Sequence, residues 1–408
     1  MECDVAVIGA GPAGSVSAKM LADQGLNVIV IEASRFPRFS IGESLLPQVT
    51  ECLQIAGMFN AVEQAGFQYK DGAHFVCGTQ GETFLFEEKS AAGPFHSYEV
   101  KRADFDLILA QEAEKAGARI VYGTRVISWN RLDDAVVLGC RDSNEEFSVN
   151  CRFVMDASGF GRVMSKLADM EYPSDQPPRS AIFRHIRHNI TCNDFDPNKI
   201  TIAQGSTDHS FWLWFIPFAD QSASIGLVGD TIEAIDGCFE TVFAEHICKV
   251  DVLDRWLKNS QPLTEIQNIT GYSCNVKSLF GDKFVMLGNA AEFVDPIFSS
   301  GVAIACRSAI TAVPLVVREL KDSVVNWLDE YEKPMRSGVN VFHAFVKAWY
   351  EGTLPRLIYS ENKDDQYRKY ISSILAGYVW DDKNPLVYGN LKRLRTLSRM
   401  VAAKDDAA

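Results

Sequence analysis

Val5-Ala-Val-Ile-Gly9-Ala-Gly11-Pro-Ala-Gly14 is the stretch that decides the fold of this 408-residue chain. Its four leading apolar residues predict a short buried strand, and the glycines predict a tight turn into a helix. Gly9 permits the sharp turn, Gly11 lets the backbone approach a pyrophosphate, and Gly14 lets the helix pack closely on the strand. This spacing is typical of the phosphate-binding turn in a Rossmann-like βαβ unit.

The residues after the turn complete that unit. Ser15–Gln24 predicts a helix closed by Gly25, and Asn27–Ile31 predicts a second strand that ends in Glu32. The free N–H groups at the helix start favour phosphate, and the Glu32 carboxylate can accept hydrogen bonds from ribose hydroxyls. A glycine turn without a ligand is the alternative, and the unit alone does not separate FAD from NAD. The predicted dinucleotide-binding residues are Gly9, Gly11, Pro12, Ala13, Gly14 and Glu32.

Length and composition limit the class of protein. A chain of 408 residues predicts two or more hydrophobic cores, and the net charge of −13 disfavours a nucleic-acid partner. No apolar run approaches the roughly 18 residues of a membrane helix, and the N-terminus lacks a signal-peptide layout. The ten cysteines are scattered without a CxxC pair, which predicts reduced thiols, no metal site and a cytoplasmic enzyme.

A second informative stretch is Gly288-Asn-Ala-Ala-Glu-Phe-Val-Asp-Pro-Ile-Phe-Ser-Ser-Gly-Val302. The proline biases Asp295 away from helical geometry, and Gly301 then opens an apolar, helix-like segment, Val302–Val317. Small residues followed by a helix start leave free backbone N–H groups. The stretch therefore predicts a backbone anion site.

Two further segments carry chemistry. Lys70 lies in Phe67-Gln-Tyr-Lys-Asp-Gly-Ala-His-Phe75, where the alternative is a solvated surface charge. Ser210–Phe218 alternates with a strand period, so Trp212, Trp214 and Ile216 share one face. Both faces of this strand are apolar, which predicts burial on both sides, and an ordinary aromatic sheet core is the alternative.

In chain order, the Gly9–Gly14 turn, Lys70, Trp212–Pro217 and the Gly288–Val302 stretch resemble the signals of the flavin-dependent halogenases within the flavoprotein monooxygenases. The resemblance implies an α/β fold (α+β overall), with a Rossmann-like FAD-binding domain of the p-hydroxybenzoate hydroxylase type, a β-sheet substrate domain and a helical C-terminal region. It implies that FADH2 and O2 form a C4a-hydroperoxide that oxidises chloride or bromide to a hypohalous acid. Lys70 would relay this oxidant to an electron-rich aromatic substrate.

The same resemblance assigns site residues. It implies that Trp212 and Trp214 keep organic substrate from the flavin, and that backbone amides at Ser300 and Gly301 hold the halide. Asn289 departs from the family, which usually has Gly-Asp here, with the carboxylate on the ribityl chain. Catalytic roles are implied for Lys70, Trp212, Trp214 and Ser300. Further cofactor contacts are implied for Arg102 at the FAD pyrophosphate and for Asp156 near the nucleotide. The remaining implied contacts are Ala33, Arg38, Ser44, Gly288, Asn289, Gly301 and Val302.

The predicted domains follow these signals. The discontinuous FAD-binding domain takes residues 1–75, 100–165 and 270–325, and the substrate-side sheet takes 76–99 and 166–269. Residues 326–408 are predicted to form a helical cap. Its candidate cavity-lining residues are Trp349, Tyr350, Tyr378 and Trp380, although aromatics at helical spacing are more often core.

The sequence allows more than one substrate class and more than one function. The chain lacks a match to the glutamate with which tryptophan halogenases polarise free indole, so the resemblance favours phenols, pyrroles or carrier-bound acyl groups. No NAD(P)H site is evident, which predicts a separate NAD(P)H flavin reductase. One alternative is a monooxygenase that hydroxylates an aromatic substrate, including a tryptophan side chain of a partner protein during quinone-cofactor maturation. Another is a non-catalytic FAD-binding assembly partner.

Overall fold

A computed structural model describes residues 1–174, 179–206, 208, 210–230, 232–234, 238–270, 274–361, 364–388 and 390–405. In chain order its strands are β1 (Val5–Ile8), β2 (Val28–Glu32), β3 (Gln68–Lys70), β4 (Gly72–Cys77), β5 (Gln80–Leu85), β6 (Ser97–Glu99), β7 (Arg119–Tyr122), β8 (Arg125–Arg131), β9 (Val136–Arg141), β10 (Glu146–Cys151), β11 (Phe153–Asp156), β12 (Glu171–Pro173), β13 (Ser180–Arg187), β14 (Lys199–Gln204), β15 (Phe211–Pro217), β16 (Ser222–Gly229), β17 (Gln261–Pro262), β18 (Gln267–Thr270), β19 (Cys274–Val276), β20 (Phe280–Gly281) and β21 (Phe284–Met286).

The α-helices surround these strands and make up most of the C-terminal region. They are α1 (Pro12–Asp23), α2 (Pro47–Ile55), α3 (Phe59–Gln64), α4 (Arg102–Lys115), α5 (Val163–Leu167), α6 (Phe239–Ile247), α7 (Asp251–Leu257), α8 (Ser300–Leu320), α9 (Lys333–Tyr350), α10 (Thr353–Tyr359), α11 (Asp365–Leu375) and α12 (Asn390–Asp405).

The nucleotide end is a six-stranded sheet of order β20-β21-β11-β1-β2-β7. All its pairs are parallel except β20 with β21. Strand β1 is the predicted Val5–Ile8, and all its residues are buried. Helix α1 begins at Pro12, three residues before the prediction, because proline is well tolerated in the first turn of a helix. It packs against α8 and α4. Every residue of β1, β2 and β11 is buried, so both faces of the central strands are covered.

The second layer is a sheet of order β17-β13-β16-β15-β14-β4-β5, with β18 paired to β13. Strand β15 is fully buried, as predicted. Trp212, Trp214 and Ile216 face the main core, whereas Phe211, Leu213 and Phe215 face a second core under α6 and α7. One strand therefore belongs to two cores, and its tryptophan face turns toward the nucleotide sheet.

The α/β fold class is confirmed by these sheets and helices. The domain boundaries stay a prediction, and β4 starts at Gly72, so the second sheet crosses the expected limit at residue 75. Helix α8 has the length and mean hydropathy of a membrane span, 1.7 over its apolar window, which the sequence analysis did not anticipate. However, 67% of that window is buried inside the protein, as expected for the core helix between the layers.

Candidate active site

A cavity of about 440 Å³ opens between the phosphate turn, the tryptophan face of β15 and the Gly288–Val302 loop. Most predicted site residues line it. They are Gly9, Gly11, Pro12, Ala13, Glu32, Ala33, Arg38, Ser44, Arg102, Trp212, Trp214, Gly288, Asn289, Ser300, Gly301 and Val302. As the described residues define it, the cavity leaves out Gly14, Asp156 and Lys70, and each of these lies directly behind a wall.

The phosphate turn requires its glycines. Gly9 has φ of +94°, and a Cβ there would lie 2.6 Å from the carbonyl oxygen of Ala157. A Cβ on Gly14 would lie 1.9 Å from the carbonyl oxygen of Gly9. A Cβ on Gly11 would have only the Arg38 guanidinium nearby, at 3.6 Å, so Gly11 faces open space. The turn is therefore a cradle of backbone N–H groups that fits a pyrophosphate.

Two buried acids hold the loops around this turn. Glu32 accepts hydrogen bonds from the N–H of Ala10 at 2.7 Å and of Ser34 at 2.8 Å, and it keeps lone pairs for a ribose. Asp156 accepts from the N–H of Ser158 at 2.9 Å and of Met164 at 2.7 Å. Burial raises the pKa of Asp156. The structure thus places Asp156 behind the loop that follows β11, where it positions backbone and does not face the cavity.

Arg102 serves the chain as well as the cavity. Its guanidinium binds both carboxylate oxygens of Asp106, at 2.7 and 2.9 Å, and donates to the carbonyl oxygen of Ile41 at 2.6 Å. Arg38 lies 3.0 Å from the same Asp106. Much of the hydrogen-bonding capacity of Arg102 is therefore used on Asp106 and on the Ile41 carbonyl, whereas the partly exposed Arg38 keeps more of its donors.

The Gly288–Val302 loop contains two buried polar atoms without a protein partner. Asn289 Oδ1 and Ser300 Oγ are buried and have no hydrogen-bond partner among the described residues. Ser299 has φ of 55°, and α8 begins immediately after it. The first residues of this 21-residue helix, whose N–H groups have no intrahelical partner, therefore line the cavity. Buried polar groups are normally paired, so this loop fits the ribityl chain of a flavin and an adjacent anion.

Lys70 lies behind Ser44. Its ammonium is 1% exposed and donates to Ser44 Oγ at 2.6 Å and to the Leu45 carbonyl oxygen at 2.9 Å. Glu99 lies 3.9 Å away, and neither of its carboxylate oxygens has a hydrogen-bond partner in the described ranges. Burial lowers the pKa of Lys70, and burial raises the pKa of Glu99 to about 7, against the opposing effect of Lys70.

The sequence analysis missed Glu99 as a partner of Lys70. Pairing of β3 with β6 opposes Lys70 to Ser97, and a separate bridge opposes Ser44 to Glu99. Three segments therefore meet at one ammonium group. No spacing in the sequence signals this contact, because it depends on a two-stranded pairing of very short strands.

The tryptophan wall is held by hydrogen bonds at both indoles. Trp214 Nε1 donates to Ser224 Oγ at 3.1 Å, and Trp212 Nε1 donates to Tyr350 Oη at 2.9 Å. The Tyr350 hydroxyl in turn donates to Asp295 Oδ2 at 3.0 Å. Both tryptophan rings line the cavity, so their orientation is set by residues behind them.

The four aromatic residues expected to line the cavity lie elsewhere. Trp349 is buried against Phe75 and Phe298, Tyr378 donates to the Pro94 carbonyl, and Trp380 donates to the Pro334 carbonyl. None of these or Tyr350 is part of the cavity wall that the described residues form. Trp349 and Tyr350 lie on α9, whereas Tyr378 and Trp380 follow the end of α11, and all four pack in or against the core. The lining prediction is wrong.

Comparison with known proteins places the chain among flavoproteins. A family model described as "FAD binding domain" matches residues 2–339. The chain is 28% identical, over 96% of its length and 93% of the relative, to a 1H-pyrrole-2-carbonyl-[peptidyl-carrier protein] chlorinase of Pseudomonas fluorescens.

Solved structures show the same relationship. A flavoprotein/dehydrogenase from Cytophaga hutchinsonii is 35% identical, with a TM-score of 0.94 over 99% of this chain and 100% of that one. A myxobacterial chondrochloren halogenase is 25% identical, with a TM-score of 0.79 over 98% of this chain and 97% of the other. The chain therefore belongs to the FAD binding domain family, as an enzyme related to the flavin-dependent halogenases.

Proposed function

We propose that this enzyme uses FAD, O2 and chloride or bromide to halogenate an electron-rich aromatic substrate, with Lys70 as the residue that delivers the halogen. One observation carries this proposal. The fully buried Lys70 ammonium is hydrogen-bonded to Ser44, and Ser44 lines the same cavity as Ser300 and Gly301. An amine and a candidate anion site thus lie on one cavity.

The residues that would hold FAD are distributed along the cavity. The Gly9–Gly14 turn suits the pyrophosphate, Glu32 the adenosine ribose and Asn289 the ribityl chain. Reduced FAD, when bound, supplies with O2 the oxidising power that converts halide to hypohalous acid. Asn289 has a neutral amide where an acid is usual, and it can still donate and accept hydrogen bonds.

The chain's own groups separate halide from organic substrate. The helix N-terminus at Ser300 and Gly301 offers backbone N–H groups and a positive partial charge to an anion. Trp212 and Trp214 fill the facing wall with large rings. Their bulk supports a role in excluding an aromatic substrate from the flavin while leaving room for a single ion.

Lys70 has the properties of a halogen carrier. Burial lowers its pKa, so a larger fraction of the group is neutral amine near neutral pH than for a surface lysine. Ser44 Oγ is the hydrogen-bonding atom that connects this amine to the cavity. Hypohalous acid that reaches Ser44 is then within one hydrogen bond of the lysine.

The substrate proposal follows the relatives and the missing glutamate. One relative is by its name a chlorinase of a carrier-bound pyrrole, and another is a tryptophan 2-halogenase, 30% identical over 76% of this chain and 60% of its own length. We propose a phenol, a pyrrole or a carrier-bound acyl group as substrate. A separate NAD(P)H flavin reductase and a cytoplasmic location complete the proposal.

A reconstituted assay tests it. The enzyme would be supplied with a flavin reductase, NADH, FAD, O2, bromide and a panel of phenols, pyrroles, indoles and carrier-bound acyl groups, with product masses as the readout. Bromine incorporation that is lost in Lys70→Met supports the proposal. Lys89→Met is the matched control, because Lys89 likewise donates two hydrogen bonds, here to the Ala91 and Gly93 carbonyls at 2.8 Å each, and lies outside the cavity.

The opposite result identifies a hydroxylase. Oxygen incorporation that is indifferent to bromide and to Lys70→Met would contradict halogenation. A tryptophan-containing peptide in the panel covers the alternative substrate of such an enzyme.

A further inference from the structure

One hydrogen-bonded chain joins the tryptophan wall to the Gly288–Val302 loop. Trp212 Nε1 donates to Tyr350 Oη at 2.9 Å, and Tyr350 Oη donates to Asp295 Oδ2 at 3.0 Å. An indole N–H can only donate and an ionised carboxylate can only accept, so the direction of both bonds is fixed. Tyr350 belongs to α9, so an element from outside both sheets connects the tryptophan strand to the loop that leads to α8.

The Asp295 end of this chain controls the loop geometry. Its other oxygen, Oδ1, accepts from the N–H of Ile297 at 3.1 Å and caps the short turn Pro296–Phe298. That turn leads through the left-handed Ser299 directly to Ser300 at the start of α8. The Asp295 carboxylate therefore holds the turn that leads, five residues on, to the predicted halide site.

The tyrosine is itself held firmly in place. The Arg179 guanidinium lies 3.6 Å from the centroid of the Tyr350 ring, and Arg179 forms an ion pair with Asp230. A cation at this distance over a ring face stabilises the ring orientation. The Arg179 contact on the ring face therefore helps to keep the Tyr350 hydroxyl in position to bind Trp212 and Asp295.

We infer that Tyr350 is a positioning residue that fixes the spacing between the Trp212 indole and the halide loop. The inference that this spacing governs anion binding rests on the proposed function. The inference that Tyr350 sets the geometry of both walls does not, since it would hold equally in a hydroxylase. Tyr350 does not line the cavity, so it acts through Trp212 and Asp295.

The chain offers a matched control for the substitution. Tyr359, on α10, is a second largely buried tyrosine, and its hydroxyl has no hydrogen-bond partner in the part of the chain that the structure describes. Tyr350→Phe and Tyr359→Phe remove the same atom from similar surroundings. Only the first removes the partner of an indole and of a carboxylate.

The experiment compares these two variants as FAD-loaded enzymes labelled with 15N-tryptophan. The Trp212 indole resonance is identified by its absence in Trp212→Phe. Bromide affinity is measured by flavin fluorescence titration, FAD affinity by equilibrium binding, and backbone exposure of residues 295–302 by hydrogen exchange. These readouts do not depend on turnover.

We expect Tyr350→Phe to shift the Trp212 resonance, to speed exchange in residues 295–302 and to weaken bromide binding about tenfold, as for one buried hydrogen bond. FAD affinity should stay within about twofold, because the phosphate turn is untouched, and Tyr359→Phe should match the wild type. If Tyr350 had only a structural role, Tyr350→Phe would lower the unfolding temperature and would weaken bromide and FAD binding to the same extent.

A Tyr350→Phe enzyme that matches Tyr359→Phe in resonance, exchange and bromide affinity would overturn the inference. If the wild type itself binds no bromide, the proposed function fails. The indole resonance and the exchange rates then decide the role of Tyr350 alone: a change confined to Tyr350→Phe supports it, and no change refutes it.

Discussion

At the nucleotide end of the cavity, two buried acids are satisfied by backbone N–H groups that lie close to them in the fold. Glu32 binds residues 10 and 34, and Asp156 binds residues 158 and 164. At the lysine end, side chains from distant segments satisfy one another. Lys70 meets Ser44 and Glu99 from two other segments, and Trp212 meets a tyrosine 138 positions along the chain.

This difference separates binding from chemistry. The nucleotide end is a local motif whose geometry is dictated by glycine and by backbone hydrogen bonds. The lysine end depends on long-range packing, so its groups can be changed one at a time while the cofactor site persists. Substitutions at the two ends should therefore have different kinds of effect.

The largest effect is expected at Gly14, where the comparison predicts loss of the whole nucleotide end. Gly14→Ala places a Cβ 1.9 Å from the Gly9 carbonyl oxygen, so α1 must separate from β1. We expect a loss of folded, FAD-binding protein, measured by thermal unfolding and by flavin content. Gly11→Ala is the control, because its Cβ meets only a flexible arginine end at 3.6 Å. It should fold and bind FAD weakly; equal behaviour of the two variants would contradict this distinction.

A smaller effect is expected at the wall in front of the lysine. Ser44→Ala removes an acceptor 2.6 Å from the Lys70 ammonium while the Leu45 carbonyl remains. A hydrogen bond to a charged group contributes about 1.5–3 kcal/mol, so bromination should fall roughly tenfold or more. Because Ser44 is also a predicted FAD contact, FAD content is measured alongside and the rate is expressed per bound FAD. Ser372→Ala, which removes a buried hydroxyl that donates to Leu85 away from the cavity, should leave the rate unchanged.

If Ser44→Ala brominates at the wild-type rate, Ser44 does not connect Lys70 to the cavity. Rates per bound FAD, measured with saturating bromide, would show this directly.

The smallest effect is a shift in pH dependence. Burial lowers the pKa of Lys70, and the negative charge of Glu99 opposes this by raising it. Glu99→Gln removes the opposing charge, so the pKa of Lys70 falls further. The rise of the bromination rate with pH should move to lower pH, as measured in a pH–rate profile. An unchanged or upward-shifted profile would show that Glu99 does not act on Lys70.

The pH dependence of the free energy of unfolding should also reflect the Glu99 carboxyl. The pKa of Glu99 is raised to about 7 in the folded state. Between the ordinary pKa of a glutamate and pH 7, the folded protein therefore binds more protons than the unfolded chain. The free energy of unfolding should therefore fall as pH rises toward 7. Glu99→Gln should lose that part of the slope in denaturant titrations across this window.

The contrast between the two ends also explains what could be predicted from the sequence. The βαβ unit depends on adjacent residues, so its first strand was located to the residue and its second to within one. The tryptophan face was predictable because strand alternation is local. Glu99 and Tyr350 as partners, and the burial of Lys70 behind Ser44, depend on which distant segments pack together. Periodicity and spacing do not encode that.

The hydrogen bonds of two residues refine the roles that the family resemblance implied for them. Arg102 was expected at the pyrophosphate, and it largely holds Asp106 and the backbone at Ile41. Asp156 was expected beside the nucleotide, and it caps the loop behind the cavity. Asp156 therefore supports the site from behind the cavity wall, whereas Arg102 lines the cavity and also holds the chain around it.

The central claim is that halide is oxidised to hypohalous acid elsewhere in the cavity and that Lys70 then delivers the halogen to the aromatic substrate. The most direct test supplies Lys70→Met with reductase, NADH, FAD, O2 and bromide, and adds a small 1,3-diketone that reacts with free hypobromous acid. Mass spectrometry would quantify the brominated diketone and the brominated aromatic product side by side. The account predicts that the variant still brominates the diketone but loses the aromatic product by roughly a thousandfold, about 4 kcal/mol in the barrier. Aromatic bromination at the wild-type rate in Lys70→Met would contradict it.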